Sequence, residues 1–207
     1  MWCKGAQTIA RHDNLVHTLV AMLRAVLGRG NVLVEQLGYL GNGQKRMDIV
    51  VEVAAGLALH SEYLAKGPIL VDLAVSTPTA ACYLAGAAMV RGDCAEKRAR
   101  AKHHKYDEHV QYGHRFFALV WEAFGLWCDE LHALFQEVVD FVKLKGEDEG
   151  DPHAASHFLA YWLPTIQTTL MRANAQAVMH RSRRDRVAAG KRVAAGPRAL
   201  DDEGGPF

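Results

Sequence analysis

The sequence predicts an α/β protein, one small sheet sandwiched by helices, and three observations carry that expectation. Apolar residues recur with a helical period near the N-terminus. Three runs rich in branched residues follow, at 31–37 (NVLVEQL), 47–53 (MDIVVEV) and 69–75 (ILVDLAV), and a fourth, 115–121 (RFFALVW), comes after a charged helical stretch. The core order is therefore α, β, β, β, α, β, with further helices behind it.

The first helix is read from Leu15, Leu19, Met22, Leu23 and Val26, which fall at i, i+4, i+7, i+8 and i+11 and line one face. Asp13 or Asn14 can cap its start, and Gly28 and Gly30 end it. Gly41 and Gly43 then mark a turn between the first two strands, and Gly67 and Pro68 mark one before the third. Residues 54–66 read as an inserted turn or helix. Thr77 and Pro78 supply an N-cap and a first-position proline for a second long helix, running to about Tyr112. The eighteen residues 73–90 carry no charge, long enough to raise the question of a membrane span. Ser76, Thr77, Pro78, Thr79 and Gly86 dilute the stretch, so it reads as a buried strand followed by a small-residue helix, and no membrane partner is expected.

Behind the fourth strand, Leu131, Leu134, Phe135, Val138 and Val142 form another amphipathic stripe. A hydrophilic, acidic break is expected at 146–150. Asp151 and Pro152 repeat the start signal for a last helix, with Phe158, Trp162, Ile166 and Leu170 on one face and a kink near Pro164. Trp121, Trp127 and Trp162 read as core. The expected organisation is an α/β core over 1–145, an acidic linker at 146–151, a C-terminal helix at 152–188 and a disordered tail at 189–207, where Ala, Gly and charge dominate.

Composition excludes several classes. With 207 residues, half of them hydrophobic and 23% charged, the chain can bury a core without staples. Cys3, Cys82, Cys94 and Cys128 form no C-x-x-C pair, which argues against a disulfide scaffold or zinc finger and for a reducing, intracellular setting. No secretory signal is read at the N-terminus, because Lys4 and Arg11 interrupt it before any apolar run. His103, His104, His109 and His114 lack cysteine partners at ligand spacing and read as surface residues rather than a zinc site.

The net charge of +1 names no partner, but its distribution does. Lys97, Arg98, Arg100, Lys102 and Lys105 give a local +5 without an acid, and 172–198 holds eight basic residues, Arg181, Arg183 and Arg184 among them, against Asp185 alone. Two such segments suit a phosphate backbone. The plainer alternative for each is a solvated helix face or a charged tail.

Asp72 sits inside a branched apolar strand, where a carboxylate is costly unless paired, protonated or bound to a cation. If the second and third strands are neighbours, Asp48 and Asp72 project toward one point and can hold Mg²⁺ at about 2.0 to 2.1 Å, with water positions left for a phosphate. Lys102, Lys105 and Tyr106 share one helix face, and a lysine there can stabilise phosphate charge. The alternative makes Asp48 a surface turn residue and pairs Asp72 with a lysine or arginine of the following helix.

Arg11-His12-Asp13 opening a helix, Lys45-Arg46-Met47-Asp48, the strand Val71-Asp72-Leu73-Ala74-Val75, and Glu96-Lys97 through Lys102-x-x-Lys105-Tyr106 resemble the restriction-endonuclease-like domain of the PD-(D/E)XK superfamily. More narrowly, they resemble its version at the C-terminal end of the polyprotein of site-specific non-LTR retrotransposons. The similarity continues through 116–127, a strand leading to a Gly-x-Trp turn, to Trp162 and Asn174-Ala175 in the last helix. The resemblance implies a restriction-endonuclease-like core and a nuclease that nicks DNA with Mg²⁺ or Mn²⁺, in the nucleus, beside the RNA of the parent element. Asp48 and Asp72 would be metal ligands, Lys102 the catalytic lysine with Lys105 as its rival, and Tyr106 a supporting group. Lys97, Arg98, Arg100, Arg181, Arg183 and Arg184 would hold nucleic acid, whereas Arg11 and His12 match the opening motif without an assigned role. Met47 stands where the family usually has proline, and Ala74 where the superfamily's usual lysine would be, so the lysine must come from the helix. The reverse transcriptase and zinc knuckle that the family carries upstream are not in this sequence. Two other readings stand beside the nuclease: a catalytically inactive nucleic-acid-binding domain and a decayed retroelement remnant.

Overall fold

A computed structural model describes residues 6–40, 46–52, 68–111 and 113–194. The described elements are α1 (Ala6–Leu27), β1 (Val32–Gln36), β2 (Met47–Val51), β3 (Ile69–Ser76), α2 (Ala81–Met89), α3 (Asp93–Tyr106), β4 (Arg115–Glu122), α4 (Asp129–Glu149) and α5 (Ala154–Ala194). The four strands form one sheet in the order β1-β2-β3-β4. β1, β2 and β3 run antiparallel in sequence, and β4 lies parallel to β3. A parallel pair needs a crossover, which α2 and α3 supply. The chain is thus mixed α/β, as the order of apolar runs predicts.

β3 and β4 are buried along almost their whole length, which explains why they read as uninterrupted apolar runs rather than alternating ones. α3 covers β3 and β4, α1 lies against α5 and the β1–β3 side of the sheet, and α4 joins β4 to α5. Leu15, Leu19, Leu23, Ile49, Leu70, Leu119, Trp121, Ile166 and Leu170 are within the core, each large apolar side chain contributing roughly 1.5–3 kcal/mol by leaving water. Trp127 and Trp162 pack against that core from partly buried positions. The outer edge of β4 is not left open. Glu130 accepts the Ala118 amide at 2.9 Å, and the Cys128 amide donates to the Val120 carbonyl at 3.0 Å.

Several boundaries differ from the sequence reading. α1 begins at Ala6, so Asp13 and Asn14 lie well inside it and cap nothing. The helix expected from Pro78 to Tyr112 is two helices. The Ala80 amide donates to the Thr77 carbonyl in a turn before α2, and Gly92 adopts φ 82, a left-handed conformation through which an α-helix cannot continue. Gly86 lets α2 fold against α3, because a Cβ there would stand 2.0 Å from Asp93 Oδ2.

The acidic break expected at 146–150 is the last turn of α4. Gly150 at φ 77 closes it, with the Gly150 amide on the Glu147 carbonyl at 3.3 Å and the Asp151 amide on the Gly146 carbonyl at 2.7 Å, the paired bonds of a Schellman cap. Asp151 then takes the His153 amide at 3.0 Å at the entrance to α5. α5 contains Pro164 and extends to Ala194, past the expected end, because Ala, Arg and Lys favour helix even without a core to pack on. The turns expected at Gly41, Gly43 and Gly67, the insertion at 54–66 and the tail beyond 194 lie outside the described residues. Residues 73–90 are β3 followed by α2, and among the described residues no helix is long and apolar enough to cross a membrane.

Candidate active site

β2 and β3 are neighbours, and their register decides where two acids fall. Ile49 pairs with Val71, Val50 with Leu70 and Val51 with Ile69. The next step of the same register brings Asp48 opposite Asp72. Side chains directly opposite on adjacent strands lie about 4.5–5.5 Å apart at Cβ, close enough for the charge of Asp48 to act on Asp72. Leu73, on the other face of β3, turns its amide to the side chain of Asp48 Oδ2 at 2.6 Å.

Alternation along β3 puts Asp72 on the face covered by α3. The buried face of α3 runs through Ala95, Ala99, Lys102 and Tyr106, at i, i+4, i+7 and i+11, so a lysine is carried into the sheet in a position of the apolar stripe. Lys102 Nζ donates to Asp72 Oδ2 and, at 3.2 Å, to the Leu73 carbonyl. Tyr106 follows one turn later; its hydroxyl interacts with Asp72 and receives a hydrogen bond from Lys105 Nζ at 2.8 Å. Of the two candidate lysines, Lys102 reaches the carboxylate and Lys105 reaches the tyrosine.

α1 supplies a group to which the sequence analysis gives no role. His12 Nε2 donates to Asp48 Oδ2 at 3.0 Å, and Nδ1 faces Asp13 Oδ1 at 3.2 Å. The hydrogen bond to Asp48 is the main reason that the imidazole titrates high, at about 9. One signal in the sequence does point to it: His12 stands at i, i+3, i+7 and i+11 with Leu15, Leu19 and Leu23, at the head of the core-facing stripe. Beside it, Arg11 donates to Asn174 Oδ1 of α5 at 3.0 Å, and Asn174 donates to the Ala123 carbonyl at 2.6 Å.

The two carboxylates are held in different states. Burial pushes both upward; at Asp48 the hydrogen bond and charge of His12 outweigh it and the group lies below the usual carboxylate range. Asp72 stays above that range, because burial and the neighbouring negative charge of Asp48 exceed what Lys102 returns. Burial also lowers Lys102, against the pull of Asp72. Like charges facing each other separate in this way. The cluster is closed at Lys102 and Asp72, with side chains 9% and 13% exposed, and opens at Asp48 and His12, at 20% and 31%. Solvent therefore reaches it from the α1 side.

No protein-family model matches this chain, and no curated protein matches it significantly in sequence.

Among the described residues no three His, Cys, Asp or Glu side chains form a metal-holding group, so the oxygen donors here are two carboxylates with the Leu73 carbonyl nearby. Grooves of about 520 and 420 Å³ lie elsewhere, lined by Leu84, Met89 and Phe124 and by Arg91, Trp127 and Gln167.

The remaining predicted residues are spread around this cluster. Lys97 is ion-paired with Asp93 at 2.7 Å. Arg98 and Arg100 are exposed on α3, and the charge of Arg98 reaches Lys102. Arg181, Arg183 and Arg184 are exposed on α5. Arg11 meets Asn174 and Thr18 meets Thr169 at 3.3 Å, so α5 runs antiparallel to α1. At about 1.5 Å per residue, its arginines project about 10–15 Å beyond Asn174, from the end of the molecule where His12 and Asp48 lie. Glu96 turns away from the cluster and takes the Asp129 amide at 2.6 Å, at the start of α4.

Proposed function

We propose that this chain is a metal-dependent DNA endonuclease domain, a nickase with a restriction-endonuclease-like core of the kind found in non-LTR retroelements. The observation that carries the reading is the meeting of Asp48, Asp72 and Lys102, from β2, β3 and α3, around one point. The order of the core, one helix, three strands, two crossover helices and a fourth strand, and the exposed arginines projecting from the same end support it.

The donor set fits a small hard cation better than zinc. Mg²⁺ keeps several waters and needs only one or two protein carboxylates, whereas a zinc site wants three or four nitrogen or sulfur ligands. Asp48 and Asp72 would hold Mg²⁺ or Mn²⁺, with the Leu73 carbonyl close by. Such an ion, when bound, acidifies a coordinated water and polarises a phosphoryl oxygen.

The protein's own groups do the rest. His12 keeps Asp48 ionised. Lys102 presents an ammonium beside Asp72, where it can stabilise charge that develops on a phosphate. Tyr106, buried one turn beyond Lys102, and the exposed Lys105 form a second hydrogen-bonded pair beside it. Arg98, Arg100 and the arginines of α5 attract the DNA backbone, and the same surface would accept the RNA of a parent element.

The test is nicking of supercoiled plasmid with Mg²⁺ or Mn²⁺. Wild type is expected to yield open circles, and Asp72→Ala none, with a thermal melt of the same variant separating loss of the carboxylate from loss of the fold. Full activity in that variant removes Asp72 from the mechanism. The second reading, a domain that binds nucleic acid without cutting it, is favoured by one observation: Lys102 already neutralises Asp72. It predicts salt-sensitive DNA binding with no nicking at any divalent cation concentration.

A further inference from the structure

Arg11 and His12 belong to the opening motif, and their contacts define a task. Asp48 Oδ2 accepts two hydrogen bonds at once, from His12 Nε2 at 3.0 Å and from the Leu73 amide at 2.6 Å. An oxygen so engaged has its lone pairs committed, which leaves Oδ1 for a ligand. The clamp is itself braced. His12 Nδ1 is held by Asp13 at 3.2 Å, and Arg11 ties the same turn of α1 to Asn174, which in turn grips the Ala123 carbonyl after β4. A slide of α1 would therefore carry the Asp48 carboxylate with it.

We infer that His12 is a positioning residue of the cation site: with the Leu73 amide it clamps Asp48 Oδ2, so that Asp48 binds a divalent cation through Oδ1 alone. The assignment rests on the metal-dependent reading above. Its chemical consequence is selectivity. One-oxygen coordination suits the octahedral demand of Mg²⁺ and Mn²⁺, whereas Ca²⁺ is readily taken by a carboxylate using both oxygens. Groups that orient a metal ligand in this way typically change affinity by about 10–100-fold when removed.

The experiment measures Mn²⁺ binding to the full chain by the electron paramagnetic resonance signal of free Mn²⁺, with Mg²⁺ and Ca²⁺ as competitors. His12→Leu is expected to weaken Mn²⁺ binding about tenfold or more and to shift competition toward Ca²⁺. His12→Gln, whose amide can still donate to Oδ2, is expected to keep most of the affinity. Thermal melts of the metal-free variants control for folding. Equal Mn²⁺ binding by wild type and His12→Leu overturns the assignment while leaving the metal site standing. So does a loss in both variants that follows their Tm, since that marks a structural role only. A wild type that binds no Mn²⁺ overturns the metal reading itself and this assignment with it.

Discussion

Lys102 on α3 donates to Asp72 on β3, thirty residues earlier in the chain, and both side chains are nearly closed to water. Breaking such a pair from one side leaves an uncompensated buried charge. Lys102→Ala is therefore expected to destabilise the fold by roughly 3–5 kcal/mol, read by urea denaturation. The double variant Lys102→Met, Asp72→Asn should lose less than the single one, because it removes both charges together. Equal losses would mean that the pair is not coupled.

His12 gives the protein a pH signature in the absence of metal. Its folded value, about 9, lies above the ordinary histidine value of 6.5. Protonation therefore favours the folded state: the contribution is complete below about 6.5, and it disappears as pH rises through about 9. Histidine proton resonances should show one ring titrating near 9, and Asp48→Asn should bring that midpoint down toward the ordinary value. A ring that titrates near 6.5 in wild type contradicts the His12–Asp48 bond.

The arginines of α5 stand clear of the core. Replacing Arg181, Arg183 and Arg184 together by alanine should leave Tm unchanged and weaken DNA binding. Each lost phosphate contact lowers the slope of log K against log salt by about 0.9. A slope that does not move would show that α5 lies off the binding face.

Gly146 is a packing test independent of function. A Cβ at that position would stand 2.4 Å from the Ala154 Cβ and 2.6 Å from the Asp151 carbonyl oxygen, at the turn between α4 and α5. Gly146→Ala is expected to cost about 1–3 kcal/mol. Gly30→Ala, with nothing within 4 Å and no left-handed φ to relieve, should be close to neutral.

The strands were legible because composition and period are local. The runs at 31–37, 47–53, 69–75 and 115–121 overlap β1 to β4 with ends moved by only one or two residues. Helix ends were less legible, because their signals compete. Asp13-Asn14 can cap a helix as easily as lie within one, and Thr77-Pro78 serves a turn as readily as a first helical position. The acidic stretch ending α4 looks like a linker by charge alone. Only the left-handed Gly150 and the fit of Gly146 against Ala154 decide where the helix stops.

The sequence by itself determined that a carboxylate would be buried at Asp72 and that a positive partner, a proton or a cation must answer it, because a charge in an apolar strand is costly wherever the strand lies. It could not say that the answer is Lys102 rather than Lys105, or that His12 holds Asp48. Those pairings depend on strand register and on which face of α3 meets the sheet. A shift of one residue in either would turn the same side chains toward solvent, and that choice is made by the packing of the whole chain.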